Sequence, residues 1–242
     1  MSAATMLVTV AAMAQDGASA STGSSMLKYI VGGGWIGGII VLLSVVALAL
    51  AIATGLQMRL SVLIPPERVK KLRSLVDAGD LGTALKVCKH PENDCYVFRI
   101  AAAALDRATR GMFGGIDARH AAEEAGESET MRLFRLAEPL AVIAAIAPLL
   151  GLLGTVQGMI GAFETVATQA VGDSGYYEKL AANISVALVT TFQGLVVAIP
   201  CLVLHSWYRS KIETAASEAG AIVDGVLSVS ERSAMAPEAG AA

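Results

Sequence analysis

An all-α membrane protein with three transmembrane helices extended into a helical bundle is the fold the sequence predicts, on three observations. Hydrophobic residues make up 55% of the 242 positions while Asp, Glu, Lys and Arg together make up 16%, where an ordinary soluble domain carries about a quarter. The runs between Lys28 and Arg59, Glu138 and Glu164, and Lys179 and Arg209 hold no charged residue, and each exceeds the roughly 20 residues a helix needs to cross hydrocarbon. Nowhere do apolar and polar residues alternate as in a half-buried strand.

The elements follow in chain order. Residues 1–28 are an N-terminal tail. Its opening, MSAATMLVTVAAMA, is like the apolar part of a secretory signal, with Ala12-Met13-Ala14 as a cleavage site. No basic residue precedes that run, so an uncleaved tail is the alternative. DGASASTGSS, residues 16–25, has the composition of a flexible linker. The first span is placed at 29–58; beyond the glycines near its start it is apolar all round, as suits a helix facing lipid.

A helical domain is predicted over 59–138. Pro65-Pro66 breaks the chain, and Val69, Leu72, Leu75 and Val76 then recur at helical spacing until Gly79 and Asp80 interrupt. Asp80 is the N-cap of a second helix, which ends near HPEND at 90–94. A third, from Tyr96 to Thr109, sets Phe98, Ala101, Ala102, Leu105 and Ala108 on one face. After GMFGG a long helix from about Asp117 runs straight into the second span, 139–163. A connection at 164–181 leads to the third span, 182–207, and a helix over 208–233 carries Ile212, Ala216, Ala219, Val223, Val226 and Ser230 at three-to-four spacing. The tail, 234–242, is expected to be disordered.

Charge gives the orientation and excludes some functions. Thirteen basic residues lie in 59–137 and Lys179 alone in the connection, so the positive-inside bias places the N-terminus outside and the C-terminus in the cytoplasm. Those thirteen face eleven acidic residues, the mark of a solvated helical surface, so no nucleic-acid partner is expected. Cys88, His90 and Cys95 have a C-x-H-x4-C spacing without a fourth ligand, so the two cysteines are expected to be buried thiols and no metal site is predicted. No disulfide is expected, and no nucleophile–base set, phosphate loop or cofactor motif is found, so neither an enzyme nor a cofactor is expected.

The second and third spans differ from a plain anchor. APLLGLLGTVQGMIGAF, from Ala147 to Phe163, sets Ala144, Ala147, Gly151, Thr155 (with Gly154), Gly158 and Ala162 along one narrow face. NISVALVTTFQGLVVAIP, from Asn183 to Pro200, repeats the device through Asn183, Ala187, Thr191 (with Thr190), Gly194 and Ala198. Small residues let helix backbones approach closely, so packing alone accounts for both stripes, and a threonine in a helix often bonds to the carbonyl a turn earlier. The spans hold no carboxylate, Lys or Arg, so a proton crossing here has to ride on another chain. A carboxyl group buried in lipid needs polar neighbours, and a threonine hydroxyl can donate to its anion or accept from its acid.

Together the two stretches resemble the paired signatures of the MotA/TolQ/ExbB family of proton-channel motor subunits, its ExbB branch above all. That resemblance implies a homo-oligomeric, pentameric ring in the bacterial inner membrane, enclosing an ExbD-like single-span partner whose membrane Asp carries the proton. Proton flow would turn ring and partner against each other, and a TonB-like protein would pass the work to outer-membrane transport. By the same resemblance Thr155 and Thr191, with Thr190, line the proton pathway. Ala147, Gly151, Gly154, Gly158, Ala187, Gly194 and Ala198 form its smooth wall, while Pro148 and Pro200 bend the helices. Many ExbB relatives carry an acidic residue where Val186 stands here, which is a departure from the family's pattern. Gln157 and Gln193 are read as helix-interface or end-of-pathway residues. His205, beside Trp207 and Tyr208, is read as an interfacial anchor, its titration in the pathway being the alternative. Two other readings stay open: a TolQ-like subunit of an envelope-integrity motor, and a passive oligomeric scaffold.

Overall fold

The structure, a computed structural model, describes residues 33–110, 114–168 and 175–235. The signal-like opening, the linker, residues 29–32 of the first expected span, and 236–242 lie outside the described residues. Among the described residues seven helices follow in order: α1 (Gly34–Gln57), α2 (Leu60–Leu63), α3 (Pro66–Asp77), α4 (Leu81–Lys89), α5 (Tyr96–Arg110), α6 (Gly114–Thr168) and α7 (Tyr176–Met235), with a 3-10 turn, Pro91–Asn93, between α4 and α5. No strand occurs among the described residues. Three of these described helices, α1, α6 and α7, are long and apolar enough to cross a membrane, so the protein is an all-α membrane protein.

Tertiary contacts divide the described chain into two units. One joins the chain up to Val46 with Ile143–Ile199; the other joins Ala47–Val142 with the chain from Pro200 onward. In the second unit, Pro66 opens α3 at a position where its missing N–H costs nothing. The helix ends at Gly79, whose φ of 76° is the left-handed conformation glycine tolerates best. Asp80 then caps α4, its carboxylate accepting from the Thr83 N–H at 2.9 Å. The Thr83 side chain first, and its backbone N–H second, hold the Asp80 carboxyl below its usual range. The turn into α5 is tied down by Asn93 Nδ2 donating to Val87 O at 2.9 Å and Arg68 Nη1 donating to Glu92 O at 2.6 Å.

The core of this unit gathers Leu72, Val76, Ala84, Val97, Phe98, Ala101, Ala104 and Leu105, all buried. On α5 the buried surface is wider than the expected stripe. Val97, Ile100 and Ala104 join it, whereas Ala102 and Ala108 are half-buried, because this helix is covered on more than one side. The buried row of α7 runs through Ile212, Ala215, Ala219, Ile222, Val223, Val226 and Leu227, turned slightly off the expected Ala216. Tyr208 Oη donates to Ala51 O at 2.7 Å and Thr54 Oγ1 to Leu136 O at 3.2 Å.

Helix ends depart modestly from expectation. Helix α6 takes in Gly114 and passes the expected end at 163 as far as Thr168. Within that extension Thr165 and Thr168 donate to the carbonyls of Gly161 and Glu164, at 2.8 and 2.7 Å, and these bonds run along the helix instead of ending it. Helix α7 begins at Tyr176, ahead of the expected third span, straight after Gly175 at a φ of 101°. It continues to Met235, two residues into the expected tail.

Candidate functional site

The site lies in the unit formed by the chain up to Val46 and Ile143–Ile199. There α6 and α7 are antiparallel: Ala147 meets Gly194, Gly151 meets Thr191, Gly154 meets Thr190 and Gly158 meets Ala187. A Cβ on Gly151 would stand 3.0 Å from Thr191 Cα, one on Gly158 2.6 Å from Asn183 O, and one on Gly194 2.5 Å from Ala147 O. One on Gly154 would overlap the Thr190 side chain. Any residue larger than glycine at these positions therefore forces the backbones apart. Ala147, Ala187 and Ala198 are buried. At the Gly161 level Asn183 Nδ2 donates to Thr165 Oγ1 at 3.2 Å.

The three threonines separate. Thr190 is fully buried, its hydroxyl donating to Val186 O and Ala187 O at 3.0 Å each. Expected beside Thr191 on a pathway, it instead closes the helix contact, because the 100° step between neighbouring helical residues turns it into Gly154. Thr191 is half-buried and donates to Gly151 O at 3.2 Å across the pair and to Ala187 O at 3.3 Å along its own helix. Thr155, one turn beyond Gly151, is also half-buried and donates to Leu152 O at 2.6 Å. Helical geometry puts Thr155 and Thr191 on the same edge of the contact.

The opposite edge belongs to α1. A Cβ on Gly33 or Gly37 would stand 2.7 or 2.9 Å from Gln193 Oε1, and one on Gly34 3.8 Å from Val186. Gln193 is thus an interface residue. Val186 sits half-buried on this same side, turned from the threonine edge. Gln157 is exposed. The α1 contact escaped sequence reasoning, though the i, i+4 spacing of Gly33 and Gly37 was the available signal. Pro148 and Pro200 both sit inside unbroken helix, each depriving the carbonyl four residues earlier of its helical N–H.

Cys88 and Cys95 are buried. Burial pushes the Cys88 thiol up to about 12 and raises that of Cys95, which makes both poor ligands and poor nucleophiles. His90 turns its ring nitrogen to the Glu92 N–H at 3.4 Å. No group of three or more His, Cys, Asp or Glu side chains among the described residues is arranged to hold a metal.

A membrane protein built on a glycine-notched antiparallel helix pair, with two hydroxyls along one edge, is the class these features define. The chain belongs to the MotA/TolQ/ExbB proton channel family, whose pattern it matches over residues 99–220, about half its length. It is 34% identical over 169 residues to the biopolymer transport protein ExbB-like 1 of Synechocystis sp., covering 68% of this chain and 63% of that relative. To ExbB-like 3 of the same organism it is 38% identical over 95 residues, 38% of this chain and 43% of the relative. It therefore spans less than two thirds of either relative's own length.

Proposed function

We propose that the chain is the ring-forming subunit of an ExbB-like motor in the bacterial inner membrane, driven by the proton motive force. Its N-terminus lies outside and its C-terminus in the cytoplasm. It encloses an ExbD-like single-span partner bearing a membrane Asp, passes work through a TonB-like protein to outer-membrane transport, and is not an enzyme. The observation that carries this reading is the shared edge of Thr155 and Thr191 in a chain whose spans contain no Asp, Glu, Lys or Arg.

The hydrogen bonds refine the chemistry. Both hydroxyls give their proton to backbone carbonyls, which can only accept, so each turns oxygen lone pairs outward. They are acceptors, suited to the O–H of a protonated carboxylic acid more than to its anion. A partner Asp alongside would be held neutral, as an acid in hydrocarbon already tends to be. It would ionise on leaving them for water. One charge crossing about 100 mV releases roughly 2.3 kcal/mol, enough to bias a step between smooth helices.

The same bonds favour a second reading, a passive scaffold whose hydroxyls are already satisfied within the chain. Thr155→Val and Thr191→Val separate the two. The motor reading expects a complex of normal mass in detergent with most proton-driven transport lost. Unchanged transport would remove the hydroxyls from the mechanism and leave the scaffold.

A further inference from the structure

Within the unit that ends at Ile199, two polar side chains of the spans stand on the outside of the α6–α7 pair with nothing to bond. Gln157 on α6 and Ser185 on α7 are both exposed, and neither makes a hydrogen bond among the described residues. Around them the outward surface is apolar: Leu153, Val156 and Ile160 on α6, and Leu188, Phe192 and Val196 on α7 are exposed. Both positions fall within charge-free spans. Hydrocarbon offers an amide no partner, so polar side chains within a membrane turn to other protein or to water.

The two residues share a depth. The level of Gly158 is fixed by its contacts with Asn183 and Ala187, and Ser185 lies midway between these two. Gln157 is one residue from Gly158, a rise of about 1.5 Å. Copies inserted by the same sequence sit at the same depth and are related by an axis along the membrane normal. Atoms of one copy therefore meet only atoms of another at a matching level. The amide carries donors and an acceptor, and the hydroxyl can answer either. Ser44 on α1, also exposed in a span, has no such match: Gly37 lies against Gln193, itself eight residues along α7 from Ser185, and Ser44 is seven residues further along α1.

We propose that Gln157 of one copy bonds Ser185 of the next, so that the lipid-facing edge of α6 docks on the outer face of α7 in a neighbouring subunit. The contact joins two different faces, so it is heterologous and builds a closed ring, where a Gln157–Gln157 contact about a two-fold axis would stop at a dimer and leave Ser185 unanswered. The inference rests on the oligomeric reading above and names the surface that reading needs.

The test is oxidative cross-linking in membranes containing the full-length chain. The three native cysteines are buried, and each single variant serves as background. The combined Q157C and S185C variant is expected to give a ladder of multimers. The two single variants made together are expected to give dimers only, and each alone none. The mixed experiment stands even where the combined variant fails to accumulate, and a disulfide demands Cα atoms within about 7 Å. Dimers from Q157C alone, capture of a different and smaller chain, or no cross-link although the wild-type complex is oligomeric by mass would each overturn this contact and leave the ring reading intact. A wild-type chain that is monomeric by mass would overturn both.

Discussion

Gly154 and Phe98 mark enclosed points in two unlike regions, the tightest notch of the antiparallel membrane pair and a large, fully buried side chain of the α3–α5 bundle. In the bundle the point is filled by a large aromatic that is fully buried. In the pair it is filled by the absence of a side chain, against which Thr190 lies. Water explains the first: removing apolar area from it drives association, and a large side chain removes most. Lipid explains the second, because leucine leaving hydrocarbon for a helix interface gains little, and close backbone contact becomes the source of attraction.

The comparison is broken most directly at Phe98. Phe98→Ala is expected to destabilise the bundle by about 3–5 kcal/mol, the range for large-to-small changes in cores, read as a lowered unfolding temperature in detergent. In the membrane pair the damaging change runs the other way. Gly154→Ala is expected to cost about 1–3 kcal/mol by overpacking, since its Cβ enters the space of Thr190. Adding Thr190→Gly moves the notch to the other helix and should restore part of the loss. A Gly154→Ala variant as stable as wild type would show that the two helices separate at little cost, and the contrast between the regions would fail.

Legibility in the sequence divides along the same line. The notches at Gly151, Gly158 and Gly194 were readable because glycine and alanine recur every turn in otherwise bulky spans, a pattern with few explanations. Asp80 was readable as a cap because it stands before a helical run with Thr83 three residues on. Which threonine is enclosed was not readable: Thr190 and Thr191 are adjacent, and a rotation of one residue exchanges them. That rotation is set by the fit of Thr190 beside Gly154, a contact between distant parts of the chain. The width of the buried surface on α5 was likewise hidden, since a stripe counted on one helix cannot register a neighbour on its second side. The exposure of Gln157 and half-burial of Gln193 depended on where α1 lies, and nothing in the two nearly identical TVQG and TFQG stretches distinguishes them.

Acid offers the smallest effect and separates the two regions, because the span segments 143–163 and 182–199 of the membrane pair hold no Asp, Glu, Lys or Arg whereas the bundle holds several. Arg99 is bonded through two nitrogens to the Asp94 carboxylate, and its Nη1 also donates to Glu129 at 3.0 Å. The guanidinium holds the Asp94 carboxyl below the usual carboxylate range. A carboxyl depressed in the folded state stabilises the fold above its unfolded pKa of about 4, and that stabilisation is lost as pH falls through the lowered value. The ion pair is partly exposed, with 56% of the Asp94 side chain open to solvent, so screening limits it to about 1 kcal/mol or less. Arg99→Gln should remove this increment near neutral pH and flatten the loss of stability seen below about pH 4, measured as unfolding temperature against pH in detergent. A bundle indifferent to pH in both variants would place Asp94 and Arg99 among surface pairs with no measurable role in stability.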